Sequence, residues 1–325
     1  MDRRRPRSGA LGFAIALAAA SALAADSRPP LRAMSWVPPG ADAVRIFATQ
    51  PTECLRRPAD PAAARSMEIG RAAFRTPVLL GGQAARAGLS CESCHRAGRS
   101  NPDFQFPGAS GAPGTADVTL SLFSSRRGNG VHDPRPIPDL SGPRARLKVA
   151  SADLPAFIRG LIVEEFDGRE PPPAVLAGLA DYVRALDPAA CPARAREAVS
   201  PHLLLADARR ALKSADASLA ASDRPTAVLM IAAARARLFL IDERYAGQPA
   251  EIARVRAADQ ALAELQAAVR EGHPDTAPQI AGDLARWTAA SRDLERALAA
   301  RQSASLFNPA RLKRATNRRL PDTTS

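Results

Sequence analysis

Aromatic side chains are scarce in this chain of 325 residues, at 4%. Few aromatics with much Ala argue against a β-sandwich and for thin, close-packed helices. Beyond the first 25 residues no apolar run is long enough to cross a bilayer, so no later transmembrane segment is expected. Nothing reads as an alternating βαβ pattern. Cysteine, histidine and methionine number four each, which leaves few groups able to hold a metal or a cofactor. The length nevertheless allows a sizeable core and two domains.

What is present begins with a targeting pattern. Arg3, Arg4, Arg5 and Arg7 precede an apolar stretch over 11–20, and Ala22-Leu23-Ala24 supplies small residues for a signal-peptide cut. Residues 1–25 are therefore expected to be an export signal, cleaved after Ala24 or Ala25. The competing reading, an N-terminal anchor, asks for a longer apolar run. The remaining chain is expected in the periplasm, or secreted. The formal net charge is +12, and residues 1–25 hold +3 of it. A basic surface favours an acidic redox protein or anionic lipid headgroups as partner, although Arg on ordinary solvated faces gives the same total. Nucleic acid is not an expected partner of an exported chain.

The patterning predicts an all-α protein. Residues 26–62 are Pro- and Ala-rich and read as an extended leader. A helix is expected over 62–75, with Met67, Gly70, Ala73 and Phe74 on one face, and Gly81-Gly82 reads as a turn. A Gly/Pro-rich loop runs over 96–143, unusually long for a compact domain unless it wraps something. Helices follow over 153–166 and 171–186, the second with Val175, Leu179, Tyr182 and Val183 inward. Residues 26–195 thus form a first domain. Residues 196–303 contain four stretches with apolar spacings of three and four, joined by short connections, the pattern of an antiparallel four-helix bundle. The first begins at Ser200-Pro201, an N-cap followed by Pro at the first helical position. Met230 falls outside the inward stripe of the second. The tail, 304–325, carries Arg311, Lys313, Arg314, Arg318 and Arg319 and is expected to be flexible.

One motif carries chemistry. Cys91-Glu92-Ser93-Cys94-His95 is a C-x-x-C-H sequence. Its thiols are spaced to add across the two vinyl groups of a haem, and the adjacent His can present its ring to the iron. A thioredoxin-like pair would want a strand–helix setting, a zinc site would want further ligands, and a Cys91–Cys94 disulfide would leave His95 without a role. The motif occurs once, so one covalent haem c is expected. Cys54 and Cys191 are then left as a pair, expected to form a disulfide in an oxidising compartment; two free buried thiols are the alternative.

Several segments around the motif, taken together, resemble the haem domains of bacterial di-haem cytochrome c peroxidases and the related MauG-type proteins. They are Ile69-Gly70-Arg71-Ala72-Ala73-Phe74, Gly88-Leu89-Ser90 leading into Cys91–His95, Ile137-Pro138-Asp139-Leu140-Ser141-Gly142, Glu165-Phe166-Asp167-Gly168, and the run from Leu179 to Leu186. The resemblance covers 65–187. It implies a cytochrome c-like haem domain whose first and last helices cross, with Gly70 and Phe74 set against Tyr182. This sequence departs from that family in having one haem motif and a second domain without one. The family's peroxidatic Glu and Gln have no assigned counterparts here.

Function then turns on the iron's second axial ligand. A saturated iron passes electrons, whereas an open one binds peroxide or a gas. No Met lies between the motif and the last helix of the first domain. Met67 reads as core, and Met230 as a ligand only if the domains dock tightly. His132, in Gly130-Val131-His132-Asp133-Pro134, is the one histidine of the long loop and the candidate distal ligand, with a surface position as its alternative. The expected function is electron transfer by a mono-haem c-type cytochrome, with a peroxidase-type enzyme as the alternative.

Overall fold

The computed structural model describes residues 29–119, 122–142, 149–191, 196–272 and 277–317. The expected export signal and His273 lie outside them. The described chain is mostly helical, with eleven α-helices and four very short strands. None of these helices is long and apolar enough to cross a membrane.

The first helix, α1 (Ala43–Ala48), is capped by Asp42, whose side chain accepts the backbone N–H of Arg45 at 2.9 Å. It leads into β1 (Thr49–Pro51). Helix α2 (Pro61–Phe74) starts on an Asp60 cap with Pro61 at its first position, and buries Met67, Gly70, Ala73 and Phe74. Gly81-Gly82 is not a free turn but opens a short helix, α3 (Gly82–Ala87), which stops at Gly88 with φ +80°. The motif's first four residues form a single turn, α4 (Cys91–Cys94). The long loop carries one small pairing, β2 (Thr115–Ala116) with β3 (Arg135–Pro136).

The expected helix over 153–166 is α5 (Leu154–Gly160) running into a π-helical stretch, Leu161–Glu165, and is closed by Asp167 at φ +53°. Apolar spacing marks such an element without revealing where its hydrogen bonds shift from i−4 to i−5. Helix α6 (Pro173–Ala185) then crosses α2. The crossing is backbone against backbone. A Cβ on Gly70 would sit 1.8 Å from the carbonyl oxygen of Gly178, and one on Gly178 would sit 2.5 Å from that of Ser66. Above it the Phe74 and Tyr182 rings meet at 5.0 Å between centroids.

Strand β4 (Arg196–Ala198) returns to pair antiparallel with β1, Thr49 opposite Ala198. Beside this ladder the structure bonds Cys54 to Cys191, with Cα atoms 4.9 Å apart. Four long helices follow: α7 (Pro201–Ala220), α8 (Arg224–Arg244), α9 (Pro249–Glu271) and α10 (Ala277–Arg301). Each packs on the next, and α10 packs back on α7. Ser200 caps α7 by accepting the Leu203 N–H at 3.2 Å. Leu205, Ala208, Leu212 and Ala215 are buried, as their spacing predicts. Met230 on α8 is fully buried too, against the expectation from its own helix. The reason is that α8 also packs on α2, so its second face is covered.

The described part of the tail corrects another expectation. Residues 309–317 form α11 (Pro309–Asn317), which packs on α1. Its Leu312 is fully buried in a small cluster with Leu31, Ile46, Phe47 and Ala48. Phe307, just before it, lies 5.8 Å from the Tyr245 ring. A basic sequence with one well-placed Leu hides this docking. The main buried apolar cluster is continuous from Trp36 to Phe307, so it runs through the motif-bearing part and the four long helices alike.

Candidate functional site

The turn α4 is built by the residues around its cysteines. Ser90 and Ser93 form a reciprocal cap in which the Ser90 N–H donates to Ser93 Oγ at 3.1 Å. Glu92 accepts the backbone N–H of Ala97 at 3.0 Å and so holds Ala97 in the left-handed region, φ +55°. Asn101 donates from Nδ2 to the Ser93 carbonyl at 2.8 Å, and its own N–H reaches the Cys94 carbonyl at 3.0 Å. The chain after the motif is thereby folded back on α4.

Cys91 and Cys94 lie three residues apart on one turn and are not bonded to each other. Burial pushes both thiols up to about 12, so they stay protonated and uncharged. His95 follows directly. Its Nδ1 lies 3.1 Å from the carbonyl oxygen of Pro138, a partner that fixes the proton on Nδ1 and leaves the Nε2 lone pair free. Burial pushes the imidazole down to about 4 against the opposing effects of Pro138 and Asp139, so the ring is neutral at pH 7. The Pro138 segment is itself held beside the motif, with Leu140 N–H donating to the Gly98 carbonyl at 3.1 Å. The Phe74 ring stands 6.4 Å from that of His95. Helix α2 and the Ile137–Leu140 segment thus converge on the motif.

This donor set suits a haem c. Two neutral thiols one turn apart can form thioethers, and a neutral imidazole oriented through Nδ1 is the usual proximal ligand. A zinc ion asks for more. Among the described residues no three His, Cys, Asp or Glu side chains gather as a cage for a metal ion.

The distal candidates stand elsewhere. His132 is exposed, and its loop is tied to Asp117, which accepts the Asp133 N–H at 3.1 Å. The Asp133 carboxylate pairs with Arg135 at 2.8 Å instead of turning to a ring. Met67 and Met230 are both fully buried in the apolar core. Among the described residues no hydrogen bond, ion pair or ring contact joins any of the three to His95. His202 pairs with Glu295 on the long helices.

One group of residues escaped the sequence reading. Glu92 also faces Arg75, which lies 3.5 Å from it and 2.8 Å from Glu53. Glu53 takes Arg71 at 2.5 Å and the Tyr182 hydroxyl at 2.6 Å. Arg75 reaches Asp207 of α7 at 3.3 Å, and Arg237 of α8 donates to the Arg75 carbonyl. Burial disfavours the charged forms here, yet Arg75 and Arg71 hold the Glu53 carboxyl below its usual range. Burial is outweighed again at Asp207, where the surrounding arginines bring the carboxyl down to about 2. The residue between Cys91 and Ser93 is thus wired through a buried ionic network to the long helices.

Comparison with protein-family models, curated proteins and solved structures finds no match to this chain.

Proposed function

We propose that this chain is an exported mono-haem c-type cytochrome, periplasmic, with haem attached through Cys91 and Cys94 and ligated by His95. The observation that carries the reading is the pair of unbonded thiols on one helical turn, followed by a His whose Nδ1 is engaged by Pro138. In this reading residues 26–195 are a cytochrome c-like haem domain and 196–303 an antiparallel four-helix bundle packed on it. The bound haem supplies reversible one-electron chemistry. The chain's own residues orient the His95 ring, surround the thiols with apolar side chains and, through Glu92 and Arg75, fix the motif against the bundle. The function is electron transfer with an acidic redox partner, which the positive net charge favours. Intact mass of the protein made in cells with haem-attachment machinery, with an absorption spectrum in both redox states, tests it. One haem added and residues 1–25 removed is the expected result; an unmodified polypeptide mass overturns it.

A second reading, a peroxidase-type haem enzyme with an open distal site, is favoured by the exposure of His132 and the core positions of Met67 and Met230. Electron paramagnetic resonance separates the two. A low-spin ferric signal that turns high-spin in His132→Ala supports electron transfer through a bis-His iron. A high-spin signal already in the wild type supports the open site.

A further inference from the structure

A cavity of about 910 Å³ lies between the leader, the far side of the motif turn and helices α8 and α9. Its lining includes apolar groups, among them Leu31, Phe47, Val78 and Phe239, of which Val78 and Phe239 are exposed, together with several arginines. The acids on its wall are already engaged. Asp242 takes Arg256 at 3.1 Å, Asp259 takes Arg235 at 2.8 Å, Glu243 takes the Arg32 N–H at 3.1 Å, and Glu92 faces Arg75.

Arg244 is the exception. Its side chain is 8% exposed, and among the described residues no carboxylate lies within ion-pair distance of it. Nη2 donates to the Phe47 carbonyl at 2.8 Å and the guanidinium stacks 4.8 Å over the Phe307 ring, but Nη1 has no acceptor. Arg96, also on the cavity wall, donates from Nη2 to the Thr49 carbonyl at 3.1 Å, and among the described residues no carboxylate lies within ion-pair distance of it, Glu92 and Asp103 acting on it from further away. Burial, and after it the positive charge of Arg96, bring the Arg244 guanidinium down to about 10 against the opposing pull of Glu243. Two like charges in a desolvated wall, one with a free donor, are costly unless an anion joins them.

We propose that this cavity binds an amphipathic organic acid, with its carboxylate on Arg244 and Arg96 and its hydrocarbon part on the apolar lining. A guanidinium matches a carboxylate in shape as well as charge. The aliphatic and aromatic side chains of the same lining select a ligand with an apolar body over a bare inorganic anion. The site is separate from the thiols and His95, and its existence does not depend on haem attachment.

Titration calorimetry of the full-length protein with decanoate, below micelle formation, tests this. Decanoate is expected to bind one to one. Arg244→Gln is expected to weaken it at least about tenfold, the loss of one charge-assisted contact. Arg96→Gln serves as the second variant should Arg244→Gln disturb the fold, and should also weaken binding. The uncharged analogue decanamide should bind far more weakly than decanoate, and inorganic phosphate weakly or not at all. Absence of decanoate binding at low millimolar concentration overturns the proposal, as do unchanged affinity in both variants or equal affinity for decanamide. Phosphate binding as tightly as decanoate would overturn the amphipathic assignment.

Discussion

Glu92 and Ser93 separate the two cysteines, and each does a distinct job. Ser93 caps the turn, and Glu92 pins Ala97 and meets Arg75. The C-x-x-C-H spacing was legible because it is local and its chemistry depends on spacing alone. Glu53, Arg75, Asp207 and Tyr182 were not, since they come from distant segments and share no pattern; only folding shows that they meet. Their electrostatics carry a pH signature. The Asp207 carboxyl titrates near 2 in the folded protein, against an ordinary 3.8. A carboxyl with a depressed folded pKa stabilises the fold above its unfolded value, and that contribution disappears as pH falls through the folded one. Stability measured by urea unfolding should therefore drop between pH 4 and pH 2, by on the order of 2 kcal/mol from this group. Asp207→Asn should be less stable at pH 7 and should flatten that part of the profile. A profile with the wild-type slope would show that Asp207 is not held by its arginines.

At the scale of elements, one helix start could be read directly, because Ser200-Pro201 announces it chemically. Three features could not. The π stretch at Leu161–Glu165 is a hydrogen-bond register and leaves no apolar signature. The second buried face of α8 depends on α2, a neighbour from another part of the chain. Helix α11 is fixed by Leu312 in a hydrophilic setting. Leu312→Ala should therefore cost about 2–5 kcal/mol in chemical denaturation, as for other buried leucines; no loss would return residues 309–317 to an unattached tail. At the crossing of α2 and α6, a single methyl group is too much. Gly178→Ala should cost about 3 kcal/mol or more, because the obstacle is backbone, which cannot swing aside. A fully stable Gly178→Ala protein would mean that the two helices stand further apart.

For the molecule as a whole, sequence texture divides the chain at about residue 196, but the apolar core and the ionic network both run across that line. Differential scanning calorimetry should accordingly show one cooperative transition. The Cys54–Cys191 bond closes a span of 137 residues. Its removal in Cys54→Ser/Cys191→Ser should lower stability by about 5 kcal/mol if restriction of the unfolded chain is the main effect. Equal stability with and without the bond would show that the β1–β4 ladder and its surroundings hold the ends unaided.

The pairing of the leader with late parts of the chain also sets an order of assembly. Thr49–Pro51 wait for Arg196–Ala198, Arg75 waits for Asp207 and Arg237, and the Phe47 carbonyl waits for Arg244, 197 residues further on. A ribosome or a translocation pore delivers the chain from its N-terminus. Cys91, Cys94 and His95 therefore emerge well before the segments that close around their turn. For that interval the motif is an open peptide, and the network through which Arg75 meets Glu92 is completed only when Asp207 and Arg237 arrive. The clasp between first and last segments makes the final setting of the Cys91–Cys94 turn one of the last things the chain completes.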